Sequence, residues 1–161
     1  SGEISIRYAR ADEVLTLLND QEVKLNEDVL VISDDAGALA LAGIMGGQGS
    51  GVKTDTRELF LESAFFHPDV IAGRARRFGL ATDSSFRFER GVDFASTRHA
   101  LERVTQLLLE ICGGQAGDIS EVQGELPGRT EIRLRRSRLI RVLGVELEND
   151  QIAALLKRLQ F

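Results

Sequence analysis

The chain has 161 residues, of which 43% are hydrophobic and 28% charged, with a net charge of −5. That length and balance suit a soluble globular fold whose core needs no disulfide or metal staple, and a lone Cys112 rules out an internal disulfide and fits a reducing cytoplasm. Apolar runs such as Ala38–Met45 fall far short of a membrane span, so no spanning helix is expected in these residues.

The first third reads as strands. Ile4, Ile6 and Tyr8 alternate with polar residues. Val14–Leu18 and Glu22–Leu25 flank an Asn19-Asp20 turn, and Val29–Ser33 and Ala38–Met45 flank Asp34–Gly37, so two hairpins are expected. Ala38–Met45 is apolar throughout, as in a central strand buried on both faces. Glu58–Phe65 is a further strand candidate.

Helices follow. Pro68 suits a first helical position, Asp69 favours the positive end of the helix dipole, and Gly79 supplies a left-handed stop, so one helix is expected between them. TDSSFRFERGVD (82–93) reads as an irregular Arg/Ser-rich segment. Asp93 then caps a longer helix in which Leu101, Val104, Leu108, Ile111 and Cys112 share one face up to Gly113-Gly114. On that spacing Cys112 packs in the core. Gly124, Pro127 and Gly128 mark a linker over residues 123–128. Beyond it Thr130–Leu134 alternates as a strand, Ser137 caps Arg138–Leu143, and Asn149 or Asp150 opens a last helix. The pattern predicts an α+β fold with one domain over residues 1–122 and the start of a small helical module over 129–161.

Charge is unevenly spread. Residues 1–62 carry 5 Lys/Arg against 12 Asp/Glu, whereas residues 63–161 carry 15 against 13. Arg74, Arg76, Arg77, Arg87 and Arg90 form one cluster; Arg129, Arg133, Arg135, Arg136, Arg138 and Arg141 form another. Guanidinium clusters meet phosphates through bidentate hydrogen bonds, although a salt-bridged solvated face has the same composition.

Three constellations bear on chemistry. GGQGSGVKT (46–54) comes close to a phosphate-binding loop, but Val52 separates Gly51 from Lys53 and no helix pattern follows; a tight turn or a close backbone approach to a ligand is the better reading. Glu62 shares strand parity with Phe60 and Ala64, so its face is mostly apolar. A carboxylate there needs a ligand hydroxyl or a buried arginine as partner, unless it simply faces water. Ser84 or Ser85 with His67 or His99 has no nucleophile-elbow context, and two histidines with one cysteine match no zinc spacing, so no metal site is expected. His67 fits a helix entry and His99 a helix surface.

LAGIMGG (41–47), LESAFF (61–66), GRARRFGL (73–80), TDSSFRFERGVD (82–93) and ICGGQAG (111–117) resemble, in order and spacing, the bacterial phenylalanyl-tRNA synthetase β-subunit family. The resemblance extends from near Ile4 to the end of the chain. It implies that residues 1 to about 120 belong to the family's editing domain, which hydrolyses tyrosine misattached to phenylalanine tRNA. Residues from about 129 would begin a small, winged-helix-like module. By the same resemblance Glu62 recognises the tyrosine hydroxyl, Gly46 lines the pocket, and Thr82 and Ser84 form another wall. Arg74, Arg77, Arg87 and Arg90 are then candidates for tRNA contact, and no residue stands out as the hydrolytic base.

The partners implied are phenylalanine tRNA and a synthetase α subunit in an α2β2 heterotetramer in the cytoplasm. No cofactor is implied within these residues, with ATP and Mg2+ serving the complete enzyme. The alternative reading is a tRNA-binding or scaffold region without hydrolytic activity of its own. The sequence departs from the family pattern at Ser84, where alanine is usual, at Phe86, often histidine or tyrosine, and at Phe94, usually proline. The family's editing domain also begins upstream of Ser1 and draws a histidine and further pocket residues from there, so a fragment with an incomplete site is expected.

Overall fold

The computed structural model describes residues 3–128 and 131–161. The chain divides into two compact units, Ser1–Leu126 and Pro127–Phe161.

In the first unit a four-stranded antiparallel sheet has the order β1-β4-β5-β6, formed by Ser5–Tyr8, Leu30–Ser33, Ala38–Leu41 and Met45–Gly46. A separate hairpin joins β2 (Val14–Thr16) to β3 (Glu22–Lys24). Asp20, at φ 65°, takes the left-handed position in its turn. The hairpin is stitched to the sheet where Leu18 N donates to Gly46 O at 3.0 Å and Gln48 N to Thr16 O at 2.9 Å. Leu17, Leu25, Val29, Val31, Leu41 and Ile71 are fully buried between these elements, each burial worth roughly 1.5–3 kcal/mol.

Both predicted hairpins form, but the long apolar strand does not. Ala38–Met45 breaks at Gly43, which turns at φ 66°, and gives β5 and the short β6. The strand buried on both faces is β4, whose Val31, Ile32 and Ser33 are all buried, whereas most of β5 is half-exposed. Glu58–Phe65 forms no strand. Among the described residues, backbone groups of 57–66 make no backbone hydrogen bonds, so the extended run is unpaired.

The expected helix from Pro68 to Gly79 is two short helices, α1 (Pro68–Ile71) and α2 (Arg74–Arg77), because Gly73 adopts φ 76° between them. His67 enters α1, its ring accepting from Asp69 N at 3.4 Å. The segment read as irregular is α3 (Asp83–Phe88), started by a reciprocal cap between Thr82 and Ser85. Asp93 caps a 3-10 turn, Phe94–Ser96, that runs into α4 (Thr97–Cys112). The apolar stripe of α4 is real but largely uncovered: Ile111 is 78% accessible, and Cys112 is exposed rather than packed. Amphipathic spacing builds the helix; covering its stripe needs a neighbour, and Ile111 and Cys112 at its C-terminal end have none among the described residues.

In the second unit α5 (Arg136–Leu143) starts one residue before Ser137, with Arg135 at the N-cap, and α6 (Asn149–Arg158) is capped by Glu148 and Gln151. Arg129 and Thr130, part of the predicted strand and arginine cluster, lie outside the described residues; Glu131–Leu134 is not a strand.

Candidate functional site

A cavity of about 700 Å3 opens in the first unit. One wall is the sheet face carrying Ile6, Ile32 and Ala40, and the opposite wall is the unpaired segment around Phe60 and Glu62. Leu101 of α4 and the 119–126 tail complete it. The unpaired segment is fixed at its far end: Ser63 Oγ donates to Thr97 O at 2.7 Å, and Phe65 meets Phe94 edge-on with ring centroids 5.7 Å apart. Phe94 thus supplies one side of that aromatic contact.

Glu62 is exposed by area, yet burial pushes its carboxyl above the ordinary carboxylate range. Together these describe a carboxyl at the cavity rim, open to water on one side and crowded on the other. Among the described residues it makes no hydrogen bond and no ion pair. The cavity's own arginine, Arg98, turns instead to Glu102 at 3.0 Å and Glu121 at 3.9 Å. Sequence reasoning missed Arg98, because an arginine in the first turn of an amphipathic helix has no signal that separates it from a solvated one.

Gly46, Thr82 and Ser84 do not line this cavity. Thr82 and Ser84 meet on the neighbouring turn. Thr82 Oγ1 donates to Ile44 O at 2.9 Å and Ser84 Oγ to Gly43 O at 3.0 Å. Gly43 is enclosed there: a Cβ would stand 3.1 Å from both Phe66 Cδ2 and Phe88 Cγ. Gly46, two residues past Ile44, pairs with Ala40 of the cavity wall, while the position a Cβ would take faces Leu18 Cδ1 at 3.1 Å. The structure therefore brings two of the four predicted pocket residues, Thr82 and Ser84, onto one clasped turn, leaves Gly46 on β6 beside the hairpin, and sets Glu62 on a separate surface. The turn and the cavity share strand β5.

The arginines divide too. Arg77 Nη1 lies 2.6 Å from Asp28 Oδ2 and Arg74 Nε 3.5 Å from the same oxygen, and the hydrogen bond from Arg77 holds the Asp28 carboxyl below its usual range. Both arginines thus fasten α2 to the β3–β4 loop. Arg90 stacks over the Phe86 ring at 3.6 Å and pairs with Glu89, whereas Arg87 has no ion-pair partner among the described residues.

The sequence model of the B3/4 domain matches residues 1–113, about seven-tenths of the chain. The chain belongs to the B3/4 domain family. Its B3/4 domain and the residues after it are similar to the phenylalanine–tRNA ligase β subunit of Thiobacillus denitrificans, with 62% identity over 94% of this chain and 20% of the relative. The corresponding subunits of Nitrosospira multiformis and Nitrosococcus oceani are 56% and 58% identical, over 100% and 98% of this chain and 20% of each relative. The chain spans about one fifth of the length of these curated relatives.

Proposed function

We propose that this chain is the editing part of a phenylalanine–tRNA ligase β subunit, hydrolysing tyrosine wrongly esterified to phenylalanine tRNA. The observation that carries the reading is Glu62, a carboxylate without a partner among the described residues at the rim of a cavity that also presents Ile6, Phe60 and Leu101. A tyrosine ring fits such a cavity, and its hydroxyl would donate to Glu62. Phenylalanine would desolvate the same carboxylate without a hydrogen bond in return, which is how a second site separates substrates that an apolar synthetic pocket cannot. Glu62 on this reading selects rather than transfers protons. Water adds to the ester carbonyl, the bond to the tRNA ribose breaks, and tyrosine and free tRNA leave. Gly46, Thr82 and Ser84 act one step back, keeping the turn beside β5 in shape.

The complete enzyme would be a cytoplasmic α2β2 heterotetramer that joins phenylalanine to its tRNA using ATP and Mg2+. The test is Glu62→Ala in the complete synthetase. Deacylation of tyrosyl-tRNA should fall at least about tenfold, the scale of one lost hydrogen bond to a charged group, while phenylalanine activation is unchanged. Undiminished deacylation would overturn the reading.

One observation favours a second reading, that the chain chiefly holds tRNA. Arg133, Arg135, Arg136, Arg138 and Arg141 in the second unit are all exposed and, among the described residues, unpaired. Salt-dependent tRNA affinity that drops when Arg135, Arg136 and Arg138 become alanine, with Glu62→Ala silent in deacylation, would favour it.

A further inference from the structure

The Phe86–Arg90 pair, joining the last turn of α3 to the turn after it, is left over from both readings of the site. Phe86 is 58% accessible and the Arg90 side chain 55%, although the guanidinium lies 3.6 Å from the ring centroid and the two cover each other. Two groups that hide one face each and still expose more than half their surface form a stack with its outer surfaces in solvent. The stack is also held in place. Arg90 Nη1 donates to Phe86 O at 2.9 Å and to Glu89 Oε1 at 2.8 Å, so the guanidinium is oriented before anything binds. Beneath it, α3 is anchored by the Thr82–Ser85 cap, by the hydroxyl bonds to Gly43 and Ile44, and by Phe88 against Phe66 at 5.3 Å.

We propose that Phe86 and Arg90 form a stacking platform for an unpaired nucleobase at the acceptor end of a tRNA. This rests on the reading above that the domain receives such an end. An exposed aromatic ring beside a planar cation suits a π-face of any base, and single-stranded nucleic acid is bound through such stacking together with nearby positive charge. Arg87, next in sequence and without an ion-pair partner among the described residues, supplies that charge for the adjoining phosphate. Glu89 already neutralises much of Arg90, so Arg90 acts through its plane rather than as a phosphate clamp. The rigid seat of α3 means that little ordering is needed on binding.

The experiment uses the complete synthetase and phenylalanine tRNA carrying 2-aminopurine in its unpaired 3′ end, whose fluorescence is quenched when the base stacks. Binding should quench the probe. Phe86→Leu should abolish most of the quenching and weaken binding about tenfold, and Phe86→Tyr should retain both. Equal quenching in the leucine variant would overturn the platform, as would its loss in the tyrosine variant. The readout is independent of hydrolysis. A quench that needs Phe86, alongside normal deacylation by Glu62→Ala, would leave the platform standing and remove the editing reading; the reverse result would do the opposite.

Discussion

Ser84 donates its hydroxyl to the carbonyl of Gly43 across 41 residues of sequence, at 3.0 Å. The hydroxyl of a residue that the resemblance placed in a pocket wall is therefore used on backbone. Thr82 makes the parallel bond to Ile44 O and in addition accepts from Ser85 N at 3.0 Å, closing the helix cap. The two residues are consequently unequal. Ser84→Ala should cost about 1 kcal/mol of stability, one hydrogen bond, whereas Thr82→Ala should cost about 2 kcal/mol because the cap goes with it. Urea unfolding of the two variants checks the order; equal losses would show that the cap contributes nothing.

Glu13 is the most heavily bonded carboxylate in the first unit. It takes both arms of Arg7 at 2.7 and 2.9 Å, and backbone N–H bonds from Arg10 at 2.9 Å and Ala38 at 3.1 Å, thereby tying β1, β2 and β5 together. The Arg7 hydrogen bonds lower its carboxyl from 4.5 to about 2. A depressed carboxyl contributes stability that is complete above about pH 4.5 and is lost as the pH falls towards 2. Glu13→Gln should cost about 2 kcal/mol at neutral pH, the scale of hydrogen bonds to a charged group. The melting temperatures of the two proteins, measured from pH 7 down to 2, should converge. A constant gap would assign the loss to shape instead of charge.

Gly47 and Gly49 stand two residues apart in the same glycine-rich turn and should behave oppositely. A Cβ at Gly47 would stand 2.5 Å from Leu39 O and 2.9 Å from Leu15 Cδ1, and Leu39 O cannot retreat without releasing its 2.7 Å bond from Gly47 N. Nothing lies within 4 Å of a Cβ at Gly49. Gly47→Ala should therefore lose about 1–3 kcal/mol, and Gly49→Ala should be neutral or slightly stabilising through the unfolded chain. Denaturant midpoints decide it, with equal midpoints sinking the steric account.

The sequence by itself determined the α+β class, both hairpins, several helix boundaries such as Pro68, Gly113 and Leu143, and the family resemblance that the B3/4 match and the similar β subunits then supported. These are local properties. Asp20, Pro68 and Gly113 bias the backbone within a few residues, and alternation or helical spacing needs only a short window. Tertiary structure decided the rest. Ala38–Met45 is apolar enough for one buried strand, but Gly43 must turn where Phe66 and Phe88 close over it, so the strand breaks. Glu58–Phe65 is apolar enough for a strand, yet the sequence cannot say whether a partner edge is there to accept its hydrogen bonds. Arg74 and Arg77 look available for phosphate until Asp28, more than forty residues earlier, is brought against them. Glu62, too, was an undecided carboxylate in the bare sequence; folding set it on a cavity with Arg98 turned to other acids. Spacing reports what a segment can do alone, while pairing, enclosure and charge neutralisation depend on groups that only the fold makes neighbours.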